Sequence, residues 1–198
     1  MKKLMFNDRY DLTQAVIEGR KTMTRRVISG GQLLPEDRIE DASICPDGFV
    51  SIIANGGESL MEVKCHYKVG EIVAVAQRYY YVVSSGCDIP VDGMDRTPGW
   101  RNKMFVRADL MPHQIRITGI KCERLQDISN EECLREGIRQ FTPNIPKNLP
   151  KQPTHFVVGD ILKDTPREAF AALIDKVSGR GTWASNPWVV AYEFELVK

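Results

Sequence analysis

The sequence predicts a single α+β domain in which strands gather into a barrel around a few short helices. Segments of strand-like composition recur along the chain, and two capping signatures open helices in its second half. No internal repeat or low-complexity tract interrupts them. The 198 residues, of which 42% are hydrophobic, are enough to bury one core, so residues 1–198 need no second domain.

The N-terminal part of the chain predicts short elements. Residues 4–6 indicate a first strand, and the apolar residues that precede Gly19 share one face of a helix that this glycine ends. The basic residues 20–26 then leave this helix as a loop or as an incoming strand. Residues 28–48 indicate a surface excursion.

The middle of the chain predicts a hairpin, a strand and a loop. Residues 49–53 and 60–63 alternate as two strands, and Asn55-Gly56-Gly57 between them has the composition of a hairpin turn. Residues 72–83 are rich in apolar and aromatic side chains, which predicts a barrel strand buried on at least one face. The glycines, prolines and aspartates of residues 84–103 predict a long loop.

The next segment predicts a strand followed by a short helix. Alternating isoleucines before Leu125 indicate the strand. Ser129 and Glu132 form a capping-box pattern that opens a helix, and Gly137 ends it. The four prolines of residues 139–159 indicate an extended loop or lid.

The C-terminal segment predicts a longer helix and a closing strand. Thr165 and Glu168 form a second capping-box pattern with Pro166 at the first helical position, so the helix runs from there to a stop near Gly179. Residues 188–197 alternate well enough to close the barrel as its last strand.

Charge and cysteine content exclude several function classes. The 27 basic and 26 acidic residues give a net charge of +1, which argues against a protein that coats polyanions with its whole surface. Five cysteines without a Cys-x-x-Cys pair fit neither a disulfide framework nor a common zinc site. We therefore expect no metal, no cofactor and a reducing cytoplasmic location. No apolar segment is long enough for a signal peptide or a membrane span, so we expect no membrane partner.

The basic run 19–26 is the strongest candidate for a functional site. It holds four cations and two hydroxyls within eight residues, and its arginines are suited to phosphate or carboxylate oxygens. Lys21 lies among like charges that lower a lysine pKa, so it is a candidate base for the hydroxyl of Thr24 or Thr22. The alternative interpretation is a solvated basic turn.

The same run resembles the Gly-x-Lys-Thr-x-Thr-x-Arg signature of the ASCH superfamily. Four later stretches resemble the longer, phage- and prophage-associated members of that superfamily, in the expected order. The signature is carried by Gly19, Lys21, Thr22, Thr24 and Arg26, and the later stretches are residues 67–71, 123–129, 136–138 and 186–190.

This resemblance implies a PUA-like β-barrel with flanking short helices. It also implies that the chain carries long loop insertions relative to the small members of the superfamily, at residues 28–48, 84–104 and 139–159. Longer relatives tend to have a glutamate and a tryptophan after the barrel strand, whereas this chain has Gln77-Arg78-Tyr79-Tyr80.

One small ASCH member is identified as an N4-acetylcytidine amidohydrolase, which implies a catalytic set for this chain. By motif position, the lysine is Lys21, the threonine is Thr24 and the glutamate is Glu136. Thr24 would attack the acyl carbon, Lys21 would take its proton, and Glu136 would hold or protonate the exocyclic nitrogen, with no metal. The alternative is that Glu136 forms a surface ion pair and that Thr24 bonds only to the backbone.

PUA-like domains also bind RNA or modified nucleosides, and we expect such recognition in the cationic cleft as the main function, with the amidohydrolase as the alternative. In that case the cationic run holds phosphate and aromatic side chains stack on a base. Core packing is the expected role of two of the three tyrosines 79–81, because alternate residues of a strand face opposite sides. A ribonuclease and a phage-associated interaction protein are further alternatives. The candidate ligand-binding residues are Arg20, Thr22, Arg25, Arg26, Tyr79 and Trp100.

Overall fold

The computed structural model describes residues 1–28, 39–44, 49–54, 59–86, 93–142 and 154–197. These residues form an α+β fold with a five-stranded sheet and two three-stranded sheets. The strands are β1 (Lys2–Leu4), β2 (Met23–Val27), β3 (Ile39–Ile44), β4 (Phe49–Ala54), β5 (Ser59–Lys64), β6 (Ile72–Val75), β7 (Gln114–Arg124), β8 (Arg139–Phe141), β9 (His155–Val158), β10 (Ile161–Lys163) and β11 (Trp188–Leu196). The α-helices are α1 (Leu12–Ile17), α2 (Tyr79–Ser84), α3 (Asn130–Arg135), α4 (Pro166–Val177) and α5 (Thr182–Ser185).

The five-stranded sheet has the order β1-β6-β7-β11-β2. The β1–β6 pair is parallel and the other three pairs are antiparallel. Strand β11 lies between β7 and β2, with Ala191 opposite both Lys121 and Arg25. This central position buries Tyr192 and the neighbouring apolar residues of β11 in the main core.

The expected closed barrel is not formed by the described residues. Strands β1 and β2 are the two edges of the sheet, and no backbone ladder joins them in the part of the chain that the structure describes. A side chain connects them instead, because Arg26 of β2 donates a 2.9 Å hydrogen bond to the carbonyl of Met5, just after β1. The α+β prediction is therefore confirmed, while the sheet stays open.

The capping box at Ser129 is confirmed, and Thr165 is confirmed as the N-cap of its helix. The Ser129 hydroxyl accepts from the backbone N–H of Glu132, whose carboxylate accepts from the N–H of Ser129. The Thr165 hydroxyl accepts from the backbone N–H of Glu168, which is one of the two bonds of a capping box, and α4 begins at Pro166. Helix α4 then buries Phe170 and the apolar residues on its inner face against the main core.

The predicted strand over residues 72–83 is wrong in its second half. Strand β6 ends at Val75, and Tyr79–Ser84 forms α2. A helix buries positions three apart, so Tyr79 and Val82 lie in a second, smaller core. Tyr80 and Tyr81 are half exposed, so the expectation that two of the three tyrosines pack in the core is also wrong.

The predicted insertions contain more regular structure than expected. Strand β3 lies inside the supposed excursion 28–48, and β8 and β9 lie inside the supposed loop 139–159. The interval 84–104 contains short 3-10 helices, including Met94–Arg96 and Pro98–Trp100. Strands β4 and β5 pair as predicted, whereas the turn residues between them lie outside the described residues.

The other predicted elements are close to the observed ones. The first strand lies two residues earlier than expected, and α1 ends just before Gly19, as predicted. Strands β7 and β11 occupy the predicted positions. No helix among the described residues is long and apolar enough to cross a membrane.

Candidate functional site: a buried ionic cluster beside a cavity

The local fold carries Lys21 into the protein interior. Gly19 adopts a left-handed conformation with φ of 72°, which ends α1 and turns the chain inward. The N–H of Lys21 then donates to the carbonyl of Ala15 at 2.8 Å, and the N–H of Thr22 donates to the carbonyl of Arg135 at 2.9 Å. The second contact fixes the start of β2 against the C-terminal end of α3.

At this junction Lys21 and Glu136 form a buried ion pair. The residues are 2% and 4% exposed, and Nζ of Lys21 lies 2.6 Å from Oε2 of Glu136. Nζ also donates to the carbonyls of Glu136 at 2.7 Å and of Met23 at 2.8 Å, so all three of its hydrogens have acceptors. A buried ammonium is tolerated only when it is paired and hydrogen-bonded in this way.

Arg25 holds the other oxygen of the same carboxylate. Its Nη1 donates to Oε1 of Glu136 at 3.0 Å, and the rest of the guanidinium contacts Glu123 and Glu132 at 2.6 to 2.9 Å. Lys121 in turn pairs with Glu123 and Glu132. Three glutamates thus surround a guanidinium that is 1% exposed, and they are balanced by three cations.

Sheet register explains why these charges meet. Arg25 and Lys121 both lie opposite Ala191 of β11, so they occupy the same face of the sheet. Glu123 is two residues beyond Lys121 and therefore shares that face. Helix α3 follows β7 and returns Glu132 and Glu136 to the same side.

The ionic cluster forms one wall of a cavity of about 440 Å³. This volume lies in the range of roughly 300 to 1,000 Å³ that small-molecule sites occupy. Lys21, Thr24 and Glu136 all line it, so the structure brings the three predicted catalytic residues together. The apolar part of the wall comes mainly from the N-terminal segment and α4, namely Phe6, Leu12, Phe170, Leu173, Ile174 and Val177.

The Thr24 hydroxyl is available to a ligand in this cavity. Thr24 is 5% exposed, and its hydroxyl forms no hydrogen bond with the described residues. Every fully buried side-chain nitrogen or oxygen of the described residues does have a partner. The Thr24 oxygen therefore keeps access to the cavity rather than being enclosed in the core.

Burial and charge shift the proton affinities of the cluster in opposite directions. Burial lowers the pKa of Lys21 below its ordinary value of 10.5, although Glu136 opposes the shift. Burial would also lower the pKa of Arg25, but Glu136 and Glu123 outweigh it and raise that pKa. Arg25 thus stays charged. Of the two cations that contact Glu136, Lys21 is the one that can lose a proton.

The predicted ligand-binding residues do not form one set. Arg26 lines the cavity and is exposed at its mouth, and Arg25 lines the cavity but is enclosed by carboxylates. Arg20 pairs with acidic residues outside the cavity, and the Thr22 hydroxyl accepts from Arg135. Neither of these two lines the cavity.

The two predicted stacking residues lie elsewhere. Tyr79 is buried in the smaller core, where its hydroxyl accepts from the N–H of Arg107 at 2.8 Å. Trp100 packs at the edge of the same core, with its ring 5.8 Å from that of Tyr80. Sequence reasoning missed the aromatic residues that do line the cavity, Phe6 and Phe170, because apolar residues in a strand edge and a helix predict only core packing.

Sequence reasoning also missed the carboxylates around Arg25. Glu132 was identified only as a capping residue and Glu123 only as part of a sequence resemblance. No local pattern identifies them, because they lie 98 and 107 residues from Arg25 in the chain. Among the described residues, no group of three histidine, cysteine or acidic side chains is placed to hold a metal ion.

Comparisons of this chain with protein-family models, curated proteins and solved structures give no significant match. The ASCH resemblance therefore depends on the sequence motifs alone. What the cavity does follows from its own geometry and chemistry.

Proposed function

We propose that the cavity binds an N4-acylated cytidine and that Lys21, Thr24 and Glu136 hydrolyse its amide bond. The main support is that Lys21 and Glu136, 115 residues apart, form a 2.6 Å contact in the wall of a cavity that Thr24 also lines. These are the residues that the ASCH resemblance identifies as a catalytic set. The proposal includes membership of that superfamily.

In the first half of the reaction, the Thr24 oxygen attacks the acyl carbon. The neutral amine of Lys21 takes the hydroxyl proton, and burial favours this neutral form by lowering the lysine pKa. The C–N bond breaks as the exocyclic nitrogen is protonated: Lys21 passes the proton that it took from Thr24 to the Glu136 carboxylate along their contact, and Glu136 gives it to the nitrogen. Cytidine leaves with an amino group, and Thr24 carries the acyl group as an ester.

In the second half, water cleaves the ester. Lys21 takes a proton from the attacking water, the Thr24 oxygen regains its proton as the ester bond breaks, and the acid leaves. The sum is one amide and one water giving one amine and one carboxylic acid. The protein returns to its initial state without a redox step.

The cavity walls suit a pyrimidine nucleoside. Phe6 and Phe170 provide apolar surface next to the charged wall, and the Phe6 ring lies 5.7 Å from Nζ of Lys21. A flat base bound against the apolar side would direct its polar edge toward the ionic cluster. Recognition sites commonly combine a mostly apolar wall with a few polar groups in this way.

A second candidate is recognition of a modified nucleoside without turnover. The observation that favours it is that the three hydrogens of the Lys21 ammonium all have protein acceptors. If Lys21 keeps its proton, the cavity binds the nucleoside through Glu136 and Thr24, and the bond is not cleaved.

The decisive experiment is release of cytidine from N4-acetylcytidine by the purified protein and by Thr24→Val. Valine keeps the shape of threonine and removes its hydroxyl, so we expect turnover to be lost while the fold is kept. Thr22→Val is the matched control, because the Thr22 hydroxyl contacts Arg135 and does not line the cavity. We expect this control to retain turnover.

Calorimetric titration with N4-acetylcytidine distinguishes the two candidates. Binding without turnover supports the recognition module, and turnover that survives Thr24→Val removes Thr24 as the nucleophile. If the wild-type protein neither binds nor hydrolyses the nucleoside, both candidates are wrong.

A further inference from the structure

A basic groove continues from the mouth of the cavity. It has a volume of about 450 Å³, and four cationic side chains line it with Asp8 as their acidic neighbour. The groove and the cavity share one boundary, so a ligand can extend from one into the other. The cations are Arg9, Arg26, Arg78 and Lys103, and the shared residues are Met5, Phe6, Asn7, Arg26 and Val177.

Lys103 is a structural cation of this groove. Its ammonium donates to the Phe6 carbonyl, to Asp8 at 2.7 Å and to Thr13 at 3.1 Å, so its three hydrogens are engaged. These contacts attach the segment before the long strand β7 to the N-terminal segment. Lys103 therefore positions Asp8 and contributes charge, but its hydrogens are not free for a ligand.

The three arginines keep unused N–H groups. Arg78 makes one long contact with Asp8, 3.4 Å, and its side chain is 39% exposed. Arg9 is 3.7 Å from Asp160 and 70% exposed. Arg26 donates to a single backbone carbonyl, so most donors of these guanidinium groups have no acceptor among the described residues.

We infer that this groove is a phosphate subsite, so that the ligand is a nucleotide whose base and sugar enter the cavity. The inference depends on the proposed function, because it assumes that the cavity holds the nucleoside. Arginines suit this role because their planar donors match phosphate oxygens in pairs. Asp8 leaves the groove with a surplus of positive charge, since it faces two cations, Arg78 and Lys103.

Arg25, which the sequence offered as a phosphate ligand, does not fill this role. Its guanidinium is surrounded by Glu123, Glu132 and Glu136, and a phosphate there would face three carboxylates. Arg20 is likewise paired with Asp11 and Glu18. The phosphate-binding role therefore moves to Arg9 and Arg78, outside the basic run, together with Arg26.

The test compares hydrolysis of four substrates by the full chain. They are N4-acetylcytidine, its 5′-monophosphate, its 3′-monophosphate and a short single-stranded RNA that contains the acetylated base. We expect at least one phosphorylated substrate to have a kcat/KM about tenfold or more above the nucleoside, the size of one or two charge-assisted hydrogen bonds. A further gain with RNA over both monophosphates identifies the ligand as a strand, and equal values identify it as a free nucleotide.

Arg78→Gln is the variant that tests the groove, because Arg78 lines the groove and not the cavity. We expect it to lose the preference for phosphate and to hydrolyse the unphosphorylated nucleoside as the wild type does. Arg107→Gln is the charge-matched control, since Arg107 is exposed, pairs with Asp109 and lines neither the groove nor the cavity. We expect this control to retain the preference.

The outcomes separate the subsite from the catalytic proposal. Turnover of the nucleoside with no gain from phosphate, or a gain that Arg78→Gln retains, overturns the subsite and leaves the proposed hydrolysis intact. If no substrate is turned over, titration of cytidine and its monophosphates decides instead. Tighter binding of a monophosphate that Arg78→Gln abolishes supports the subsite, and equal binding of cytidine and both monophosphates overturns it.

Discussion

Arg25 and Lys21 divide the Glu136 carboxylate between them: Nη1 of Arg25 lies 3.0 Å from Oε1, and Nζ of Lys21 lies 2.6 Å from Oε2. The two oxygens therefore have different partners. Lys21 has a lowered pKa and faces the cavity, whereas Arg25 keeps its charge and fixes the orientation of the carboxylate.

Arg25→Met should destabilise the protein by about 3 to 5 kcal/mol, because it leaves three buried or half-buried carboxylates without their shared cation. Urea unfolding measures this loss. The matched control is Arg116→Met, which breaks an exposed pair with Glu195 and should cost about 1 kcal/mol or less. Similar losses for the two variants would contradict the structural role of Arg25.

The hydrolysis rate should rise with pH and then reach a plateau, because Lys21 must be neutral to act as the base. The midpoint of the rise should lie below 10.5, the ordinary lysine pKa. The rate is measured with N4-acetylcytidine over the range in which the protein stays folded. Lys21→Met should abolish the turnover. A rate that does not change with pH would exclude Lys21 as the base.

The same pKa shift predicts a pH dependence of stability. Folded Lys21 binds fewer protons than the unfolded lysine in the window between its lowered pKa and 10.5, so unfolding takes up a proton and stability rises with pH there. The contribution is measured as the unfolding free energy of the wild type minus that of Lys21→Met, which should increase with pH across that window. A difference that falls as pH rises would contradict the lowered pKa.

Gly137→Ala should disturb the site as well as the fold. Gly137 has a φ of 105°, and an added Cβ would lie 3.2 Å from Leu12 Cδ2 and 3.5 Å from Lys21 Cβ. We expect a loss of about 1 to 2 kcal/mol and a lower turnover, because the backbone would be strained and Leu12, which lines the cavity, would have to shift. Thermal unfolding and kcat provide the two measurements.

Gly70→Ala is the control for that substitution. Gly70 has a φ of 84°, and its added Cβ would meet no atom within 4 Å, so only the backbone strain is shared. We expect about 1 kcal/mol of destabilisation and unchanged turnover. Equal effects of the two substitutions on turnover would show that the packing of Gly137 against Leu12 is irrelevant to the site.

The sequence predicted those parts of the fold that depend on neighbouring residues. The capping box at Ser129 and the N-cap at Thr165 needed only residues three positions apart, and both are present. The choice between strand and helix for residues 79–84 was different, because aromatic and β-branched residues by themselves favour a strand, whereas the segment is a helix. Packing decided it: the Tyr79 ring lies so close to Gly99 that a Cβ there would approach within 2.5 Å.

The candidate site shows the same division. The sequence by itself determined that Lys21 and Thr24 lie together after a helix end, and that Glu136 lies at the end of a capped helix. Only the tertiary structure decided that Glu136 meets Lys21, that Arg25 is enclosed by Glu123 and Glu132, and that two open arginines from outside the basic run join Arg26. The physical reason is that local signals act through adjacent backbone groups. The partner of a charge depends on sheet register and on which element covers which face.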